Sequence, residues 1–157
     1  MSDDSKIMRW GTIIAAIIIV VRIVLEQAGA SEMINNIFGV AWLYLILPVL
    51  FALGIRARDY ASPYRTLLKD TLLFAVYTRV MVLFTYMLAY IFNWSAPRFA
   101  LERGGNVGEN VGAWTGLLLI PIRNALIWIG MATIAGMIIG SVTLVLKRKT
   151  PTPAAAS

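Results

Sequence analysis

The sequence TLLFAVYTRVMVLFTYMLAYIFNW, which runs from Thr71 to Trp94, decides the fold. It is apolar enough, and at a rise of about 1.5 Å per residue long enough, to cross a bilayer as one helix. A charged residue nevertheless lies well inside it. At a helical angle of about 100° per residue, one stripe of this helix carries Arg79, Tyr86, Tyr90 and Asn93. The sequence therefore predicts a membrane helix whose polar stripe faces protein or water.

The composition places the chain among membrane proteins. Of its 157 residues, 59% are hydrophobic and only 14% are charged, whereas soluble domains are usually about 45–50% apolar and about 25% charged. The mean hydropathy of +0.76 agrees with the membrane class. The net charge of +6 sits mostly in segments that flank apolar runs. This placement favours anionic lipid headgroups as the counter-charge and argues against nucleic acid as a partner.

The chain contains neither cysteine nor histidine. This excludes disulfides, thiolate nucleophiles and iron–sulfur clusters within the chain, together with Cys/His zinc sites and haem held by histidine. A Ser-His-Asp triad is excluded for the same reason. The sequence accordingly predicts no metal, no cofactor and no enzymatic activity.

Four apolar runs predict four transmembrane helices, which makes the chain an all-α integral membrane protein. The last apolar stretch extends from Trp114 to Leu146 and is too long for one straight crossing. Because Pro121 divides it, a short interfacial or re-entrant segment is expected before the final span. The predicted spans are residues 7–25, 37–55, 71–94 and 125–146, with the interfacial piece at 114–122.

These spans form one predicted membrane domain, residues 1–149, followed by a predicted disordered tail, residues 150–157. A cleaved signal peptide is the less favoured interpretation of the first run, which ends before the small residues at 28–30. The glycine-rich connection from Ser95 to Gly112 lacks the Gly-Lys-Ser/Thr of a phosphate-binding loop. It is predicted to be flexible.

The basic residues divide unequally between the two predicted sides of the membrane. One side has only Arg98 and Arg103. The other side has nine, namely Lys6, Arg9, Arg56, Arg58, Arg65, Lys69, Lys147, Arg148 and Lys149. This asymmetry predicts that both termini are cytoplasmic, and we expect an integral protein of a bacterial inner membrane. The residues of the main basic loop that are predicted to contact lipid headgroups are Arg56, Arg58, Arg65 and Lys69.

Three arginines remain inside the predicted membrane layer, where a centrally placed arginine costs about 2.5–3.5 kcal/mol. Glu26 lies one helical turn after Arg22 and can pair with it. Arg123 is expected near the outer interface, with Asn124 capping the start of the last span.

Arg79 is the third of these arginines, and no span carries an acidic residue mid-membrane to pair with it. Its expected contact is therefore a tyrosine, a backbone carbonyl, water, another chain or a bound anion. Hydrogen bonding within the bundle and snorkelling are the structural interpretations. The functional interpretation is an anion or a lipid phosphate, held in a cavity opened by a kink at Pro48. Sequence spacing leaves open whether the three arginines converge.

Small residues predict the faces on which helices approach one another closely. The predicted packing residues are Gly11 and Ala15 in the first span and, at every fourth position of the last span, Ala132, Gly136 and Gly140.

Two functions are compatible with these features. The preferred one is a small non-catalytic membrane protein that acts as a subunit or interaction partner in an assembly, with anionic lipids and other transmembrane chains as partners. The alternative is a small oligomeric transporter or channel for an anion or a phosphate-bearing lipid. A membrane enzyme comes third, because only tyrosine, arginine and hydroxyl chemistry remains for it.

Overall fold

The computed structural model describes residues 3–58 and 60–146, and in these residues every regular element is helical. The α-helices are α1 (Asp3–Gln27), α2 (Glu32–Ile37), α3 (Leu43–Ala57), α4 (Pro63–Ile91) and α5 (Ile120–Leu146). Short 3-10 turns occur at Val40–Trp42, Pro97–Phe99 and Leu101–Arg103, and a π-helical turn, Thr115–Leu119, directly precedes α5. The predicted tail and the basic residues at 147–149 lie outside the described residues.

Four helical segments are long and apolar enough to cross a membrane, which confirms the predicted all-helical class. They are Ser5–Gln27, Glu32–Ala57, Pro63–Ile91 and Thr115–Leu146, with mean hydropathies between 1.8 and 2.3. Their outward faces are apolar. In α1, for example, Ile17, Val20 and Val24 are each more than half exposed. An apolar exterior over an apolar core is what helices need in a lipid environment.

The ends of α1 and α4 have the same hydrogen-bonded cap. After α1, the Ala30 amide donates to the Leu25 carbonyl and Gly29 takes a positive φ of 77°. After α4, the Trp94 amide donates to the Ala89 carbonyl and Asn93 takes a positive φ of 49°. This Schellman arrangement ends a helix at a residue that tolerates the left-handed conformation. The predicted span to Trp94 was therefore too long, and Asn93 leaves the polar stripe.

The second predicted span, residues 37–55, is not one helix. Ile37 is the last residue of α2, and Gly39 is extended, with φ −98° and ψ 137°. A 3-10 turn then leads into α3, which begins at Leu43. Pro48 lies inside α3, where it is fully buried and faces Gly136 of α5.

Helical structure continues from Thr115 to Leu146, so no break separates residues 115–122 from the rest of the last helix. The interfacial position of 114–122 stays a prediction. Pro121 lies inside this run. In the π-helical turn the Ile120 amide bonds to the Thr115 carbonyl, five residues back. In the same pattern the next carbonyl, that of Gly116, would pair with the nitrogen of Pro121, which has no hydrogen to donate. It accepts instead from the side-chain amide of Asn106 at 2.8 Å.

Helices α3 and α4 form the centre of the bundle, and α1 and α5 each pack against both of them. Small residues permit these contacts. A Cβ atom on Gly11 would lie 2.5 Å from Leu47, and one on Gly140 would lie 2.7 Å from Leu67. Gly136 similarly faces Thr71 and Pro48. The two predicted packing alanines, Ala15 and Ala132, are both buried.

The connection between α4 and α5 is folded against the bundle, in contrast to the predicted flexible loop. Ala100 and Val107 form an isolated bridge, and the Val107 amide donates to the Phe99 carbonyl at 2.8 Å. The Phe99 ring is fully buried and packs edge-on against Tyr86, with ring centroids 5.1 Å apart. We term the end of the bundle that carries residues 28–31 and 92–112 the loop end. The opposite end, where α1 begins and α5 ends, is the terminal end.

Candidate functional site

Arg79 is buried in the bundle, with only 9% of its surface exposed. It lies twelve positions before Ile91, the last residue of α4, and therefore about 18 Å from the loop end of that helix. Its guanidinium carbon is 4.6 Å from the centre of the Trp128 ring and 5.2 Å from that of the Tyr44 ring. The α4 arginine is thus held between an aromatic side chain of α3 and one of α5, at distances typical of cation–π contacts. We term Tyr44 and Trp128, the two rings that enclose Arg79, the aromatic cage.

A short hydrogen-bond relay supports the Tyr44 side of this cage. The Thr78 hydroxyl lies 2.9 Å from the Phe74 carbonyl and 3.0 Å from the Ala75 carbonyl, and it can donate to either. The Tyr44 hydroxyl is 2.6 Å from the Thr78 hydroxyl, and either oxygen can be the donor of that bond. A hydroxyl oxygen has two lone pairs, so the Tyr44 oxygen can also accept from Arg79, with which it interacts.

A partly enclosed cavity of about 20 Å³ adjoins Arg79 between α4 and α5. Tyr86 lines it from α4, and Asn124 and Trp128 line it from α5. The Arg79 Nε atom is buried and has no hydrogen-bond acceptor among the described residues. No described carboxylate forms an ion pair with Arg79 either. The cage therefore stabilises the cation with two ring faces and one hydroxyl. The Nε–H group of Arg79 is left without an acceptor among the described residues.

A second buried cluster lies at the loop end, where one acid pairs with two bases. Glu26 Oε1 is 2.9 Å from Arg22 Nε and 2.8 Å from Arg98 Nε. The Glu26 side chain is only 2% exposed. Arg98 also lies over the Phe99 ring, 4.3 Å from its centre. Burial lowers the pKa of the Arg98 guanidinium below its usual value, and the Glu26 carboxylate opposes that shift.

The other predicted members of the polar stripe separate into different environments. Tyr90 donates to the Val111 carbonyl at 2.8 Å, and its ring packs against Gly116. It therefore anchors the loop. Arg123 is exposed. Asn124 lies within a helix rather than at its start, and donates to the Gly104 carbonyl at 3.0 Å. The structure thus brings Arg79, Tyr86 and Asn124 to one cavity and leaves Arg123 outside it.

Four contributing residues were not identified from the sequence: Tyr44, Arg98, Asn106 and Trp128. Asn106 is fully buried and donates to the carbonyls of Tyr86 and Gly116 at 2.6 and 2.8 Å. Its place in a glycine-rich segment gives no indication of these long-range bonds. Trp128 could have been found, because Pro121, Asn124 and Trp128 follow helical spacing on one face of the last apolar run.

The terminal end carries the basic residues predicted to contact lipid. Arg65 and Lys69 are exposed and lie one turn apart on α4. An open hollow of about 470 Å³ lies beside them, and its wall includes Ser62, Thr66 and Leu68. Arg56 and Arg58 are half-buried near the end of α3.

An apolar groove of about 280 Å³ runs along the outside of α3 and α5. The residues that line it are Ala41, Trp42, Tyr44, Leu45, Trp128, Met131, Ala132 and Ala135. We term this the α3–α5 groove. Trp42 also borders a second hollow of about 440 Å³ beside α2, so the two depressions are neighbours. Tyr44 and Trp128 belong both to the groove wall and to the cage around Arg79.

Comparisons with known proteins give no assignment for these features. No family model matches the chain, and no curated protein and no solved structure matches it either. Within residues 3–58 and 60–146, no group of three or more Cys, His, Asp or Glu side chains could hold a metal ion.

Proposed function

We propose that this chain is a small non-catalytic membrane protein that acts as a subunit of a larger membrane assembly and receives a transmembrane helix of another chain in the α3–α5 groove. The carrying observation is the groove itself. Its lining includes three alanines, Ala41, Ala132 and Ala135, and two tryptophans, Trp42 and Trp128. Close helix packing in lipid uses such small-residue surfaces, because it depends on van der Waals contact rather than on hydrophobic exclusion.

The disposition of the polar groups supports the same proposal. Glu26, Asn106 and Tyr90 are bonded within the chain, and their bonds hold the loop against the helices. The small residues Gly136 and Gly140 are likewise used within the bundle. A partner chain would therefore contact apolar surface, and Arg79 would act through the aromatic wall that it supports.

A photoreactive amino acid in place of Met131 is expected to cross-link to a second polypeptide in native membranes. Met131 lines the groove and is 54% exposed, so it would face the incoming helix at close range. The measurement is a band of discrete added mass after irradiation, identified by mass spectrometry. Leu126 is the matched control, because it is 65% exposed on the same helix and does not line the groove.

The outcome distinguishes the possible occupants of the groove. A discrete adduct with a different polypeptide at Met131 and not at Leu126 supports the subunit function, whereas an adduct with a second copy of this chain favours the alternative, an oligomeric transporter or channel. Lipid adducts alone at both positions would show that the groove is filled by acyl chains, and the proposed function would then be wrong.

We further propose that the protein is an integral inner-membrane protein of bacteria whose terminal end faces the cytoplasm. At the loop end, Arg98 pairs with Glu26 and Arg103 pairs with Glu32, so both cations there are balanced. The exposed Arg65 and Lys69 lie at the other end, where they suit the phosphates of anionic headgroups. The exposed cations Arg65 and Lys69 are thus on the side expected to stay in the cytoplasm.

A reporter fused after Ser157 is accordingly expected to be active only in the cytoplasm. Replacement of Arg56, Arg58, Arg65 and Lys69 by glutamine should produce a detectable fraction of inverted molecules, because the charge asymmetry is reduced. The same variant should retain less anionic lipid on purification. Replacement of Arg98 and Arg103 should leave the orientation unchanged. A periplasmic reporter in the unmodified chain would overturn the proposed orientation.

The second candidate function is the transport or conduction of an anion by an oligomer. One observation favours it: the Arg79 cage contains a buried cation with an unused donor beside a cavity. A lipid phosphate fits this cage poorly, because about 20 Å³ is room for roughly one water-sized particle.

A further inference from the structure

Positive charge exceeds negative charge in one group of interacting side chains, formed by Arg22, Arg79, Arg98 and Glu26. Arg22 interacts electrostatically with both Arg79 and Arg98. Glu26 is the carboxylate that pairs with two of them. Three cations and one anion leave an excess of two positive charges. A buried charge is expensive without a partner, so a further anion would stabilise this region.

Arg79 is the place where such an anion would be held best. It is more than nine-tenths buried, its Nε atom has no acceptor among the described residues, and it lines a cavity. The cavity also receives polar side chains from both helices, Tyr86 and Asn124. The hydroxyl of Tyr86 and the amide of Asn124 are of the donor types that, with a guanidinium, bind anions.

The size of the cavity restricts the chemical class of the ligand. A volume of about 20 Å³ slightly exceeds the roughly 10–15 Å³ needed for one water molecule. A halide ion is close to water in size, whereas phosphate and sulfate carry four oxygens around a central atom. We propose that the cavity beside Arg79 binds a single monatomic anion, chloride under ordinary conditions. This inference goes beyond the proposed function and holds whether or not the chain is a subunit.

The aromatic cage separates the bound ion from the apolar groove outside. Trp128 contacts the Arg79 guanidinium and at the same time lines the α3–α5 groove. A neutralised Arg79 would attract less solvent toward this wall. The anion thus serves as a structural counter-ion that keeps the polar interior and the apolar exterior apart.

The test is equilibrium dialysis of the purified full-length chain against radioactive chloride in detergent micelles. We expect saturable binding of about one chloride per chain, competition by bromide, and no competition by sulfate. Arg79→Met should weaken binding tenfold or more. Arg123→Met removes an exposed arginine and should bind chloride like the unmodified chain.

A second variant keeps the test decisive if Arg79→Met does not fold. Ala125 lines the cavity, so Ala125→Leu places a larger side chain in it while retaining every charge. This variant should fold and should also lose chloride binding. Absence of saturable binding in the unmodified chain would overturn the proposal and indicate that the cavity holds water only. Unchanged binding in Ala125→Leu, or equal competition by sulfate, would overturn it as well, because the ion would then lie elsewhere.

Discussion

Glu26→Gln is expected to destabilise the protein by about 3 kcal/mol. The carboxylate is almost fully buried and binds both Arg22 and Arg98. Glutamine keeps the volume but leaves two guanidinium groups without a counter-charge. Breaking a buried ion pair by removing one partner usually costs about 3–5 kcal/mol. The two arginine side chains are about one-fifth exposed, which places the expectation at the lower end of that range.

The measurement is the free energy of unfolding in detergent, compared with that of Glu32→Gln. Glu32 also pairs with an arginine, Arg103, but both side chains of that pair are more than half exposed. An exposed pair contributes about 0–1 kcal/mol. Equal losses in the two variants would contradict the account of Glu26 as a buried hub. A double-mutant cycle that combines Glu26→Gln with Arg98→Gln measures the coupling free energy of the Glu26–Arg98 pair separately from that of the Glu26–Arg22 pair.

The sequence predicts the four membrane-length helices because hydropathy and length are local properties. The end of α4 shows where such local reasoning stops. Apolar character continues to Phe92 and Trp94, so hydropathy extends the span too far. The asparagine at 93 was the available indication of a helix end, since asparagine tolerates the left-handed conformation that terminates helices. The structure uses it in that way.

The continuity of the helix across Pro121 was not predicted, for a different physical reason. Proline normally interrupts a helix because it lacks an amide hydrogen and crowds the preceding turn. Here a widened turn precedes Pro121, and a side chain from the loop takes the place of the missing donor. This replacement hydrogen bond is a tertiary contact between residues 106 and 116, and no local sequence pattern predicts it. The site shares this limit, because Tyr44, Arg79 and Trp128 come from three different helices.

The amino-acid composition of the loop also did not predict that the loop is folded. Its glycines predict a flexible connection. Its order depends on Phe99, which is buried, and on Arg98, which reaches Glu26 in the first helix. Residues 72 positions apart in the sequence meet there. A single sequence gives the residue types for such a contact and not their distance.

Asn106→Ala is expected to cost about 2–4 kcal/mol and to loosen the loop. The variant removes the donor of the Gly116 carbonyl, which the helix cannot replace because Pro121 has no amide hydrogen. An unsatisfied buried carbonyl costs about 1–3 kcal/mol, and loss of the bond to the Tyr86 carbonyl adds about 1 kcal/mol. The free energy of unfolding and the hydrogen exchange of residues 95–112 measure the two effects. Exchange there should become faster.

The control and the rescue of this variant follow from the same geometry. Asn36→Ala changes an exposed asparagine and should remain within about 0.5 kcal/mol of the unmodified chain. Pro121→Ala restores an amide hydrogen at the position opposite the Gly116 carbonyl. In that background, Asn106→Ala should therefore cost less, since the helix can satisfy the carbonyl itself. A cost that is the same in both backgrounds would show that the widened turn does not depend on Asn106, and the explanation for the unbroken last helix would have to be abandoned.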